Sequence, residues 1–224
     1  MDKTISRLWN TLQIYGHNLQ KIAVCLDIRS RLWYIVPMKT TISKEQYEAI
    51  YERLNRVDVL DYDCGTLCGA ACCTVSREDA AEDMGIYLLP GEERLHLEDD
   101  WMELSEGRAE DHDLPESWEG EAFFGRCKTP PVCPRGRRPI QCRTFPLAPH
   151  INEDGELIMI YNDLELPYAC PLIEEEIPLE DEFVNETLDV WRELITDPLI
   201  YDLVKMDSEA REESFRELMD KLGL

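Results

Sequence analysis

Nine cysteines stand in a chain of 224 residues, and eight of them fall between positions 64 and 170. The first group runs Cys64-x3-Cys68-x3-Cys72-Cys73, and Cys127, Cys133, Cys142 and Cys170 follow. Thiolate sulfur is a soft donor that suits zinc and iron–sulfur clusters, and both favour four ligands. Eight thiols therefore match two four-thiolate sites. Adjacent side chains rarely point the same way, so Cys72 and Cys73 are expected to serve different sites, or one binds while the other packs. Two arrangements stay open: two centres, or one centre with a reserve thiol pair.

The neighbouring residues suit such chemistry. Four thiolates around a metal keep negative charge, and Arg126, Lys128, Arg135, Arg137, Arg138 and Arg143 cluster among the downstream cysteines. They can balance that charge and donate hydrogen bonds to sulfur. The competing roles for these cations are a solvated patch or pairing with the acidic stretch Glu92–Glu121. Cys133-Pro134 and Cys170-Pro171 are Cys-Pro pairs, as found at one ferredoxin ligand position. His150 could replace a missing ligand, against the plainer role of a loop histidine in water. His96 lacks the Pro-Cys-x-x-Cys companion of a zinc deaminase and is expected at the surface. His17 and His112 belong to no constellation. Cys25 sits inside an apolar run and is expected to be a buried small hydrophobe.

Composition narrows the class. Hydrophobic residues make up 44 %, enough for a packed core, and the formal net charge is −24. A chain this acidic repels phosphate at long range, so nucleic acid is not an expected partner. No apolar run approaches the roughly 20 residues of a membrane span, and the first residues lack the features of a signal peptide. The expected compartment is the reducing cytoplasm, where nine cysteines are metal ligands or redox groups rather than disulfides.

The elements that must position the thiols read as α+β: short strands and loops around the cysteines, with flanking and C-terminal helices. Thr4–Gly16 forms a short helix. The apolar runs either side of Arg29-Ser30-Arg31 form a hairpin between Lys21 and Pro37. Ser43-Lys44-Glu45-Gln46 is a capping box that opens a helix to about Arg56. A further helix starts near Ser76 and aims its free N–H groups at Cys72 and Cys73. Ile86–Leu89 and Leu157–Tyr161 are strands. Glu92–Glu121, dense in acid, is expected to be a solvated loop. Leu179, Phe183, Leu188, Trp191 and Leu194 share one helix face, and a last helix covers Asp207–Leu222. We expect a single domain over 1–224, with a metal-binding core at about 58–175 and a helical segment at about 177–224.

At two stretches the chain resembles the family of zinc- or iron-chelating proteins with a CxxCxxCC-type cysteine-rich motif. One is Cys64 to Cys73 with its double-cysteine end. The other is Arg138-Pro139-Ile140-Gln141-Cys142-Arg143-Thr144-Phe145-Pro146, similar to the family's Arg-Pro-x-x-Cys-Arg-x-x-Pro signature. The resemblance spans Cys64 to Pro171, with a wider, three-residue spacing in the first group. It implies metal binding at Cys64, Cys68, Cys72, Cys73, Cys127, Cys133, Cys142 and Cys170.

Three functions follow as expectations. The first is an iron–sulfur protein in redox or as an enzyme accessory, favoured slightly over zinc on the thiolate-only donor set. The second is a structural zinc protein whose pinned loops bind a protein partner. The third is an S-adenosylmethionine-dependent methyltransferase, implied only by the resemblance to flagellin lysine N-methylases; no glycine-rich nucleotide fingerprint accompanies it. The three residues between Cys68 and Cys72 argue against a radical S-adenosylmethionine enzyme, whose motif needs two there.

Overall fold

A computed structural model describes residues 25–26, 33–34, 39–74, 85–128, 132–162, 166 and 168–223. The expected helices at Thr4–Gly16 and near Ser76, along with His17 and the side chain of Cys25, lie outside these residues. The chain divides into two compact units, Met1–Pro37 and Met38–Leu224. In the first, β1 (Cys25–Leu26) pairs antiparallel with β2 (Trp33–Tyr34), the expected hairpin partnership.

The second unit is α+β. It begins with α1 (Lys44–Leu54), whose capping box forms as the sequence implies: Ser43 Oγ accepts from Gln46 N, and Gln46 Oε1 accepts from Ser43 N. Both hydrogen bonds satisfy donors that a helix start leaves open. Ser43→Ala removes one of them and is expected to lower unfolding stability by about 1 kcal/mol. Urea denaturation would read this, and an unchanged midpoint would show that the cap is idle.

Two single-turn helices follow, α2 (Gly65–Cys68) and α3 (Ala71–Thr74). Then comes a three-stranded antiparallel sheet in the order β3-β5-β4, from β3 (Ile86–Tyr87), β4 (Met102–Arg108) and β5 (Glu121–Cys127). This corrects the reading of Glu92–Glu121 as a solvated loop. The segment holds a 3-10 turn at Glu92–Leu95, the whole of β4 and the first residue of β5. Its acids hid a strand because β4 buries Met102 at one end and turns most other side chains to water. Trp118 anchors the connection by donating its indole N–H to Leu199 O at 2.8 Å.

Helix α4 (Ile140–Thr144) leads into the hairpin of β6 (Leu147–Ile151) and β7 (Leu157–Tyr161). The expected strand at Leu157–Tyr161 is β7; its partner β6 was not expected. The one-turn α5 (Pro171–Glu174) precedes α6 (Asp181–Leu194) and α7 (Pro198–Leu222). Helix α7 begins nine residues earlier than the expected Asp207. Asp197 caps it, accepting from Leu199 N at 3.0 Å and Ile200 N at 3.3 Å, with Pro198 at the first helical position. That pairing of N-cap and proline marks the helix start in the sequence.

The main core gathers Tyr47, Ile50 and Leu54 of α1, Val190, Trp191 and Leu194 of α6, and Leu199, Ile200 and Val204 of α7. Leu179 does not share the α6 core face. It joins a second, smaller cluster built on Leu60, Cys170 and Leu172, and Leu188 is half-buried while Thr187 and Val190 are buried. That smaller cluster lies among the cysteines. No helix of the described residues is long and apolar enough to cross a membrane.

Candidate metal centre

The first cysteine group is shaped by a local turn. Asp63 Oδ1 accepts from Gly65 N at 2.9 Å and also pairs with Arg135, which fixes the entry to α2. Gly69 and Ala70 then take left-handed backbone conformations, φ 66° and 58°. Glycine tolerates this; alanine does so at a cost of about 1–2 kcal/mol. The sharp turn stacks two one-turn helices in sequence, so Cys64, Cys68, Cys72 and Cys73 crowd together. Cys72 and Cys73 stand 3.8 Å apart at sulfur.

The other four thiols arrive from separate elements. Cys127 ends β5 opposite Met102. Cys133 precedes the 3-10 turn Arg135–Arg137, Cys142 lies on α4, and Cys170 caps α5. All eight are free.

Their electrostatics record how close they lie. Burial raises the Cys64 thiol above its ordinary range, with Asp63 and Cys68 adding and Arg135 and Arg138 opposing. Burial also raises Cys127, helped by Cys133 and Cys73, and Cys170, helped by Cys68. Backbone N–H groups of Leu172 and Ile173 point at the Cys170 sulfur and oppose that rise. Cys142 keeps an exposed surface, yet surrounding protein, Cys73, Cys127 and Glu92 push its thiol up to about 12. Cys72 and Cys73 act as a pair. The contact between them lowers the Cys73 thiol, aided by Arg138 and Arg135, and raises that of Cys72.

The arginines divide their work. Arg138 donates from Nε to Cys133 Sγ at 3.0 Å. Arg137 pairs with Asp99 at 2.8 Å and reaches Leu95 O, the expected alternative of pairing with the acidic stretch. Arg143 donates to Arg138 O at 2.7 Å and Asn55 Oδ1 at 2.7 Å, and stacks 4.4 Å over the Tyr51 ring.

Beneath this region lies a buried polar chain that the sequence did not announce. Tyr51 Oη donates to Glu92 Oε1 at 2.5 Å and meets His96 Nε2 at 2.9 Å; His96 Nδ1 meets Asp99 Oδ2 at 2.8 Å. Glu92 also accepts from Ile140 N at 2.8 Å and Leu89 N at 3.0 Å. His96 is therefore buried, 1 % exposed, and not the surface residue expected. A carboxylate inside an acidic run, 0 % exposed, carries no signal that separates it from its solvated neighbours. Burial, then the Glu92 charge and hydrogen bond, raise the Tyr51 hydroxyl far above its ordinary range. His150 lies on β6, with its Nε2 3.8 Å from Glu212 Oε1.

The fit to a metal is one of donor chemistry. Among the described residues no three Cys, His, Asp or Glu side chains stand arranged as a coordination sphere. A cation bound there would deprotonate the thiols and draw the sulfurs toward a shared point, an attraction that neutral thiols lack. The residue types, their freedom from disulfides and the attendant arginines suit a thiolate-bound group. The chain matches no protein-family model, no curated protein and no solved structure.

Proposed function

We propose that this chain is a metal-binding protein that holds an iron–sulfur cluster or zinc through the thiolates of Cys64, Cys68, Cys72, Cys73, Cys127, Cys133, Cys142 and Cys170. The observations behind the reading are eight free thiols among the described residues, the Cys72 and Cys73 sulfurs 3.8 Å apart, and the Arg138 N–H on the Cys133 sulfur. The resemblance of the Cys64–Cys73 and Arg138–Pro146 stretches to motifs of the cysteine-rich chelating family points the same way.

Iron–sulfur is the favoured occupant. The donors are all sulfur, and Arg138 already directs an N–H to Cys133 Sγ. Hydrogen bonds to sulfur and nearby positive charge are the means by which a protein tunes such a cluster. The group itself would supply one-electron transfer. The chain's part is to hold the sulfurs, offset their charge with Arg138 and Arg135, and shield one side with Tyr168 and Phe145, whose rings meet edge-on at 6.3 Å. Tyr168 is packed against this region: burial first, then Cys72, Cys170, Cys142 and Cys73, raise its hydroxyl.

Zinc remains the second reading because of the small cluster on Leu60, Cys170 and Leu172. Three buried side chains are a modest core for so many loops, and a structural metal would pin them for a protein partner. Under either occupant the metal contributes to folding. Chelation of the purified protein is expected to lower Tm by about 10 °C, because each ~1 kcal/mol shifts Tm by about 2–4 °C at this size. A melting curve unchanged after complete chelation would count against the reading.

A further inference from the structure

The β6–β7 hairpin has two outer edges, and they differ. Hydrogen bonds from Asn162 N to Pro146 O and from Asn152 N to Glu156 O fix the alternation of the ladder. Ala148 and His150 therefore bond to Ile160 and Ile158. Leu147, Pro149 and Ile151 on β6, and Leu157, Met159 and Tyr161 on β7, turn their main-chain groups outward. Helix α7 closes the β6 edge. Ser208 Oγ accepts from Ile151 N at 2.9 Å, Arg211 donates to Pro149 O at 3.3 Å, and Pro149 has no N–H to satisfy. On the β7 edge, no hydrogen bond among the described residues reaches the outward main-chain groups of Leu157, Met159 or Tyr161.

An open edge is a template for another strand, and proteins commonly blunt one with charge or proline. The strand Leu157-Ile158-Met159-Ile160-Tyr161 has neither. A groove of about 630 Å³ borders it, lined by Leu157 and Met159 of β7 and by Val184 and Leu188 of α6, with Glu156 and Arg192. Leu157 and Met159 share the face that packs on the main core, and Val184 and Leu188 are half-buried. A strand added to β7 would set every second side chain over that groove.

Charge decides what kind of strand fits. Glu153, Asp154 and Glu156 are exposed at the hairpin turn, and none has an ion pair among the described residues. Arg192 is held by Asp189 at 3.0 Å. A second copy of the chain fits poorly, because each carries a formal net charge of −24. A five-residue edge, about 17 Å long, is also short for the ~1,200 Å² that a stable dimer buries.

We propose that the β7 edge and its groove form a docking site for an extended peptide segment of a partner protein, with apolar residues at alternate positions and lysine or arginine at its ends. The segment adds to the hairpin as a third strand. Main-chain hydrogen bonds to Leu157, Met159 and Tyr161 hold it, and alternate side chains seat over Val184 and Leu188. Neither β7 nor α6 carries a cysteine, so the site uses none of the metal-ligand candidates.

The test uses the full chain and a fluorescein-labelled peptide, Lys-Lys-Val-Thr-Val-Thr-Val-Lys-Lys, read by fluorescence anisotropy. Lysines stand at both ends so that either strand direction brings a cation to the turn. Saturable one-to-one binding is expected, weakened about tenfold or more when glutamate replaces the lysines. Two further peptides are N-methylated, one at the valines and one at the threonines. Only one set of N–H groups faces β7, so one methylated peptide should fail and the other should bind. Leu188→Lys, which puts a like charge in the groove, should weaken the parent peptide about tenfold. In the wild type, saturating peptide should slow amide exchange at Leu157, Met159 and Tyr161, read by NMR. No saturable binding, equal behaviour of the two methylated peptides, or unchanged exchange at these three amides would overturn the docking site, whether or not Leu188→Lys folds. A chain that dimerises alone, with the same three amides already protected, would place a second copy on the edge and overturn the peptide.

Discussion

Replacing Glu92 with alanine is expected to lower unfolding stability by about 3–5 kcal/mol, which is a large share of what a domain commonly has. The Glu92 carboxylate is fully buried and accepts from Tyr51 Oη, Leu89 N and Ile140 N. Alanine would leave the Leu89 and Ile140 N–H groups in the core without an acceptor, and Tyr51 Oη with only His96 Nε2 as a partner. Each unsatisfied donor costs about 1–3 kcal/mol, offset in part by no longer burying the carboxylate. Glu92→Gln keeps an acceptor oxygen and should cost less. The effect should reach the thiols, because Ile140 opens the helix that carries Cys142. Urea denaturation of the two variants would check the order. A Glu92→Ala loss below about 1 kcal/mol would mean that the chain of hydrogen bonds through Tyr51 and His96 is not holding this region together.

Asp197→Ala should have the next largest effect, about 3–4 kcal/mol. This side chain is fully buried at the junction of three segments. Its Oδ1 caps α7 through Leu199 N and Ile200 N. Its Oδ2 accepts from Thr41 N, from Thr40 Oγ1 at 3.0 Å and from Thr41 Oγ1 at 2.9 Å, tying the lead-in of α1 to the start of α7. Cap and tether can be separated. Serine is a good N-cap but too short to serve both ends, so Asp197→Ser should recover about 1 kcal/mol of the loss. Equal destabilisation by alanine and serine, read from denaturation midpoints, would show that capping contributes nothing here.

What was legible in the sequence follows from how each element is stabilised. Helix α1 announces itself because its cap is local: Ser43 and Gln46 are three residues apart and satisfy one another. The thiols were legible as a set because cysteine has few other roles at such density. Strand β4 was not legible. It is held by a ladder to β5 across a connection that includes Trp118, and its own side chains mostly face water. Charge on a strand's outer face looks the same as charge in a loop. Glu92 and His96 were misjudged for a related reason. Their burial depends on Tyr51, Ile140 and Asp99, and of these Tyr51 and Ile140 lie more than forty residues from Glu92. The early start of α7 was present in Asp197-Pro198 but was overshadowed by the charged run beyond it.

The arginines divide between carboxylate and sulfur partners. Arg137 neutralises Asp99 of the acidic stretch, and Arg138 reaches sulfur. Spacing alone could not assign them, because the 3-10 turn at Arg135–Arg137 sends neighbouring side chains in different directions.

The central claim is that these cysteines hold a metal, and anaerobic purification followed by elemental analysis and an absorption spectrum tests it most directly. The account predicts stoichiometric iron with acid-labile sulfide and a brown protein with broad visible absorption; stoichiometric zinc in a colourless protein would select the structural reading. A colourless protein with neither metal, all of its thiols free to react without denaturant, would contradict the account.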